Sequence, residues 1–290
     1  MTGGNRMNKN LFFEGSRPGY SVTHGSTTFD LPILYLRDDF FGLYYSIDKK
    51  KANAIMPSDK MHPITLPNGR AVIAIMAYNY IDTSIGHYGE IAAAIPTLYN
   101  KRHRRFMGFL PLLQQGAHPH FGALVQHLPV TLPAAYEAGR GEWGYTKFVT
   151  NMHFDTTPEH QEVNMYEEGE HILDMRVMKR GFHMKDHKPI TTFSVKENNL
   201  IKTVIPQKGV QRISPKTKGS FIKFGIHPMA KSIIGLDIAE KPFLQTFYTE
   251  RAAILPSGTV VEKDVRSFEG YKPAAVSKGK HTNEYTQYGI

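Results

Sequence analysis

The chain has 290 residues, 41% hydrophobic and 21% charged, a globular balance with room for one large domain or two ordinary ones. It has no cysteine, which excludes disulfides, thiolate metal sites and cysteine nucleophiles. A formal charge of +9 and an isoelectric point of about 9.4 leave three classes of partner to weigh: nucleic acid, a membrane surface, or an anionic substrate steered into a basic cleft.

In chain order, the first ten residues contain no apolar core of the kind a secretory leader needs, so a cytoplasmic protein is expected. Phe40–Ile47 is aromatic and apolar and reads as a strand. Asp48 then caps a short helix that Pro57 closes. Leu66-Pro67-Asn68-Gly69 is a turn signal, and Ala71–Tyr80 is an apolar strand covered on both faces. Gly86–Ile95 is a further strand. Lys101-Arg102-His103-Arg104-Arg105 is the sharpest basic cluster, with no zinc finger, helix-turn-helix or RNP motif around it. It is expected to be a solvated loop, and no nucleic-acid partner is expected. His118 and His120 flank a proline with no third ligand at metal-site spacing, so no metal and no cofactor are expected.

Leu132–Ala138 reads as a helix, and Gly141–Thr150 as a strand. His171–Arg180 alternates Leu173, Met175 and Val177 against Asp174 and Arg176, the pattern of a half-buried strand. Ile190–Val195, Leu200–Ile205, Ser220–Gly225 and Phe243–Leu255 add strands, and Met229–Leu236 a helix. Many short strands imply a closed or sandwiched antiparallel sheet in one domain. The ends, 1–11 and 272–290, are expected to be flexible. No apolar run reaches the roughly 18 residues of a membrane span.

Two segments carry chemistry. On a strand over 141–150, Trp143, Tyr145, Lys147 and Val149 share one face. A lysine on such a face is an ordinary edge residue, snorkels to a rim, or is buried for its chemistry. On a strand over 86–95, Tyr88, Glu90, Ala92 and Ala94 share a face. Glu90 there is either a surface carboxylate on a wet side or an acid with small neighbours that leave space for a ligand.

Tyr88-Gly89-Glu90 followed by Ala94-Ile95-Pro96, and Gly139-Arg140 ahead of Gly144-Tyr145-Thr146-Lys147, resemble the acetoacetate decarboxylase family. Tyr45–Pro57, Leu200–Pro206 and Glu250–Pro256 extend the likeness to roughly Phe40 through Val261. The resemblance implies a cone-like antiparallel β-barrel with a flanking sheet and a few short helices, and a homo-oligomer. It implies a lysine Schiff base with a β-keto acid, decarboxylated to a ketone such as acetone. Lys147 matches the Schiff-base position and Glu90 the active-site glutamate. Arg37 is the candidate for the family's first-strand arginine, though its spacing is off by about one residue. Arg140 either binds a substrate carboxylate or anchors the turn. Tyr88, Trp143 and Tyr145 are the remaining candidates for contact with substrate.

Only a neutral amine attacks a carbonyl, and an ordinary lysine, with a pKa of about 10.4, is neutral roughly once in 2,500 molecules at pH 7. Full burial shifts a lysine by up to about 3–5 units, so desolvation is large enough to supply that amine. Two departures stand out. Phe148 replaces the family's second lysine, with Thr146 ahead of Lys147 in place of proline. The family's second acid falls near Ala74 and is missing. Neighbours on a strand face opposite ways, so Phe148 points away from Lys147. The loss of the second acid keeps open a Schiff-base aldolase or dehydratase acting on a pyruvate-like keto acid. A non-enzymatic β-barrel that binds a small anion is the alternative of another class. The segment 98–133 looks longer than the family's usual connection, which suits a loop over the site or an oligomer contact.

Overall fold

Period-two alternation of side chains along three long strands divides the molecule into a core and a cavity. The computed structural model describes residues 9–16, 19–102, 118–268, 270–273 and 278–284. Strand β3 spans Ile33–Ile47, β5 spans Ala71–Thr83 and β6 spans Tyr88–Tyr99, each antiparallel to the next. Their odd-numbered residues Phe41, Leu43, Ile73, Ile75, Ile91 and Ala93 join the main hydrophobic core. Their even-numbered residues Phe40, Ala74, Tyr78, Glu90 and Ala92 face a cavity instead. Successive side chains on a strand point to opposite faces, so one sheet supplies both surfaces.

These strands belong to an eleven-stranded sheet. On one side of β3 it continues through β16 (Leu244–Leu255), β14 (Gln207–Ser214) and β11 (Phe182–Asp186). Beyond β6 it runs through β7 (Phe121–His127), β12 (Ile190–Lys196), β13 (Asn199–Ile205) and β17 (Thr259–Glu262), with the short β4 (Met61–Pro63) also on β6. A five-stranded sheet packs on its outer face: β15 (Phe221–Phe224), β10 (Glu170–Met178), β9 (His160–Glu167), β8 (Asn151–Thr156) and β18 (His281–Glu284). Met152, Phe154, Val163, Met165 and Met175 from this second sheet complete the core. A hairpin of β1 (Tyr20–His24) and β2 (Thr27–Leu31) stands apart from both sheets.

The expected barrel is corrected by the strand order. β11 and β17 are the two edges of the large sheet and do not pair with each other, so the sheet is rolled and open. β13 runs into β14 through Pro206 alone, one extended stretch bent at a residue with no N–H to give a ladder. Ile254 N donates to the Pro206 carbonyl at 3.0 Å, which holds this corner. The sheets are also mixed, since β7–β12 and β8–β18 are parallel pairs.

The helices are short. α1 covers Lys9–Phe13 and α2 covers Lys49–Ala54, where Lys51 N donates to the Asp48 side chain at 2.8 Å as the capping pattern implies. α3 spans Pro133–Trp143 and α4 spans Pro228–Ile234. The strand expected over 141–150 is a second correction, because α3 runs on to Trp143. Gly144 ends it in the left-handed region, φ 67, and its N–H bonds the Arg140 carbonyl at 3.1 Å. A Cβ at 144 would also lie 2.5 Å from the Val195 carbonyl oxygen, so this sharp exit requires glycine. Among the described residues no helix is long and apolar enough to cross a membrane. His103-Arg104-Arg105 and most of the two chain ends lie outside the described residues. Segment 98–133 is not loop throughout: its second half forms β7, and 103–117 lies outside the described residues.

Candidate active site

Past Gly144 the chain is extended but not a regular strand. Leu128 N bonds the Thr146 carbonyl at 3.2 Å, Val130 N bonds the Phe148 carbonyl at 2.9 Å, and Thr150 N returns to the Val130 carbonyl at 2.8 Å. This irregular pairing keeps the alternation. Tyr145 and Lys147 face the cavity, while Phe148 enters the main core against His227 and Tyr271, with ring centroids 6.0 and 4.8 Å away. Val149 is buried but does not reach the cavity.

The Lys147 ammonium meets Glu90 at the cavity wall. Nζ lies 2.6 Å from Oε2, and the two side chains are 6% and 8% exposed. Tyr80 donates its hydroxyl to the other Glu90 oxygen at 3.0 Å. The Tyr35 and Tyr88 hydroxyls are 3.0 Å apart, and Nζ stands 5.8 Å from the centre of the Tyr88 ring. Burial first, and the Glu90 charge with it, hold the Tyr80 phenol well above its ordinary pKa. Burial, then Tyr35 and Glu90, do the same for Tyr88. Burial also pushes Tyr145 up to about 12, and its hydroxyl lies 2.7 Å from Thr192 Oγ1. These phenols stay protonated and serve as neutral hydrogen-bond groups around the Lys147–Glu90 pair.

α3 positions the lysine from behind. Gly139 leaves room for it, since a Cβ there would stand 2.3 Å from Lys147 Cε. Arg140 donates to the Lys147 carbonyl at 2.6 Å, with its guanidinium 5.7 Å from the Tyr136 ring centre. Arg140 does not line the cavity with Lys147, so its observed contact is the anchoring one. Trp143 lies in the wall, its indole N–H spent on the Pro256 carbonyl at 2.9 Å.

Arg37 is exposed and outside the cavity lining. β3 carries register shifts on either side of it, so Ile33 and Tyr35 face the cavity before the irregularity and Phe40 after it. The arginine that does line the cavity is Arg251 on β16, which the sequence reading did not single out. Its Nε donates to Asp38 Oδ1 at 2.7 Å and its Nη1 to Gln207 Oε1 at 3.0 Å. The guanidinium lies 5.0 and 5.3 Å from the ring centres of Phe40 and Tyr78. Burial raises the Asp38 carboxyl above its ordinary pKa and the Arg251 charge pulls it back, with burial the larger effect. A bulge between Tyr248 and Arg251, with Glu250 at φ 53, turns Arg251 inward. Strict alternation from Tyr248 would have turned it away. Glu250–Pro256 was already a segment of interest, but no periodicity reveals a bulge in advance.

Ala74 also lines the cavity, so no acid projects from that position. Asp186 reaches the wall from β11 and accepts a hydrogen bond from the Tyr248 hydroxyl. His118 and His120 are not in the lining; His120 Nδ1 lies 3.0 Å from the Tyr99 carbonyl. The whole cavity measures about 420 Å³.

The family model described as acetoacetate decarboxylase matches residues 20–246. Among solved structures, an acetoacetate decarboxylase from Legionella pneumophila subsp. pneumophila str. Philadelphia 1 is similar with a TM-score of 0.62 at 16% identity, over 80% of this chain and 88% of that one. The enduracididine biosynthesis enzyme MppR with HEPES buffer bound gives 0.55 at 11% identity, over 84% and 90%. An acetoacetate decarboxylase-like enzyme from Sphingomonas wittichii RW1 gives 0.52 at 11%, over 80% and 94%. At these identities the structural likeness is one of fold. A comparison with curated proteins finds no match.

Proposed function

Because the chain belongs to the acetoacetate decarboxylase family, we propose that it is a Schiff-base decarboxylase of a β-keto acid, with Lys147 as the nucleophile. The observation that carries this reading is the buried Lys147–Glu90 pair, 2.6 Å apart on a cavity wall. Within such a pair the carboxylate takes a proton from the ammonium and releases the free amine that attacks a ketone. Loss of water from the carbinolamine leaves a protonated imine. The carbon–carbon bond to the carboxylate then breaks, its electron pair flows into the imine, and carbon dioxide departs. The resulting enamine takes a proton at carbon, for which Glu90 is the nearest donor. Hydrolysis of the new iminium returns the ketone and the amine.

Besides Lys147, Arg251 and Lys188 line this cavity; Arg251 is the buried one and suits the substrate carboxylate. Tyr80, Tyr88 and Tyr35 orient Glu90 and the carbonyl without adding charge.

A second reading keeps the imine and uses the enamine for aldol condensation or dehydration of a pyruvate-like acid. Ala74 favours it, because proton handling there lacks the acid that the resemblance implies. MppR, of similar fold, has been solved with pyruvate. Borohydride reduction in the presence of acetoacetate or pyruvate tests both readings by intact mass. An adduct abolished by Lys147→Ala, with carbon dioxide released from acetoacetate, supports the decarboxylase. An adduct without carbon dioxide supports the second reading. No adduct from either acid removes both.

A further inference from the structure

The cavity is much larger than a short keto acid requires. Its volume of about 420 Å³ falls within the roughly 300–1,000 Å³ of pockets that hold drug-sized ligands. From Glu90 the lining continues along β6 through Ala92 and Ala94 to Pro96. At about 3.4 Å per strand residue, those six steps span roughly 20 Å. The flanking strands are kept small or apolar beside this row. Met76 and Ala74 of β5 stand opposite Ala92 and Ala94, and Val125 and Ala123 of β7 stand opposite Ala94 and Pro96.

Polar residues enter the lining elsewhere too: Thr192 of β12 stands opposite Ala123, and Asp186, Lys188 and Thr191 also line the cavity. The Arg251 group lies the other way. Arg251 pairs across the sheet with Asp38, Asp38 with Tyr80, and Tyr80 with Tyr88, all on the far side of Glu90 from Ala92. Lys147 and Glu90 therefore sit between a cationic end and a long apolar trough. A keto acid whose carboxylate faces Arg251 directs the substituent on its carbonyl carbon into that trough.

We propose that the substrate is a keto acid carrying an extended alkyl chain on the carbonyl carbon, and that acetoacetate, with only a methyl group there, is a poor substrate. This rests on the Schiff-base reading of Lys147. Leaving the trough to water wastes the burial of apolar surface, worth about 25 cal/mol per Å². In a hydrophobic pocket each added methylene is worth about 10-fold or more in kcat/KM while it fits.

The test compares acetoacetate, β-ketohexanoate and β-ketooctanoate in two assays on the full chain: borohydride adduct formation by intact mass, and kcat/KM from carbon dioxide release. The expected result is an adduct from all three and kcat/KM at least about 10-fold higher for β-ketooctanoate than for acetoacetate. In Ala94→Leu, which fills the middle of the trough, the ratio of long-chain to short-chain kcat/KM is expected to fall by about 10-fold or more. Adducts from all three with acetoacetate equal or preferred overturn the chain-length inference and leave the Schiff-base reading standing. An adduct whose chain-length preference appears only in trapping rate, without carbon dioxide, keeps the inference and shifts the chemistry to the aldolase-like reading. No adduct from any of them overturns the Schiff-base reading and this inference with it.

Discussion

Gly139 and Lys147 are packed against each other so closely that the lysine occupies the space a side chain at 139 would need. A Cβ there would stand 2.3 Å from Lys147 Cε and 3.2 Å from Nζ. Gly139→Ala is therefore expected to push the ammonium off Glu90 while leaving α3 intact, since alanine favours helix over glycine by about 1 kcal/mol. Misplacing a reacting group by about 1 Å costs on the order of 100-fold. The rate of borohydride trapping should fall by that order with the circular dichroism spectrum unchanged. An unaltered trapping rate would show that the lysine has another productive position.

Glu90→Gln keeps a side chain that can still accept from Tyr80, and removes the proton carrier. Turnover is expected to drop by about 100- to 10,000-fold, the usual share of general acid–base catalysis. The adduct should still form, more slowly. Equal turnover in wild type and variant would remove Glu90 from the mechanism.

Lys147→Met should abolish both adduct and turnover, and it should also destabilise the protein. It strands a carboxylate whose side chain is 8% exposed, and breaking one side of a buried pair costs about 3–5 kcal/mol. Adding Glu90→Gln removes the stranded charge, so urea unfolding of the double variant should recover part of that loss. A double variant less stable than Lys147→Met would contradict the pairing.

Phe148 faces the opposite way from Lys147, fully buried against His227 and Tyr271. Phe148→Ala is expected to cost about 3–5 kcal/mol of stability through the cavity it leaves. Trapping by the fraction that remains folded should stay within a few-fold of wild type. A loss of trapping in the folded protein would mean that Phe148 sets the reactivity of its neighbour.

His127 gives the stability a pH dependence. Burial, and then the charge of His227, lower its pKa from 6.5 to about 4. The unfolded chain thus binds a proton that the native chain refuses between those values. The contribution is fully present above 6.5 and is lost as pH falls towards about 4. Unfolding midpoints should decline from pH 7 to pH 4.5, and His127→Asn should flatten that decline. A slope unchanged in the variant would assign it to other groups.

The main sheet was legible where alternation ran uninterrupted. Ala71–Tyr80 and the strand carrying Glu90 are found within a few residues of their expected limits, and Phe40–Ile47 is the second half of a strand that begins at Ile33, because one face met a core and the other a cavity. Gly141–Trp143 departs from expectation because a glycine pair beside aromatic residues suits a strand locally. The helix continues there because Gly144 supplies the left-handed cap and Gly139 fits against Lys147. β8 and β9 alternate mainly between a buried and a half-buried face and are rich in polar residues, so their sequence pattern is weak although both complete the core.

Sequence by itself singled out the candidate nucleophile and acid: the apolar surroundings of 147 and 90 left alternatives open, and the resemblance carried by the motifs around them pointed to those two roles. Tertiary structure decided that the two meet, which arginine faces them and how far the cavity extends. Lys147 and Glu90 lie on segments 57 residues apart, and no local spacing encodes a 2.6 Å contact. Bulges in β3 and β16 shift the alternation by one residue, turning Arg37 out and Arg251 in. The open edges of the sheet likewise depend on which strands pair over long range, a choice that hydrophobic patterning leaves undetermined.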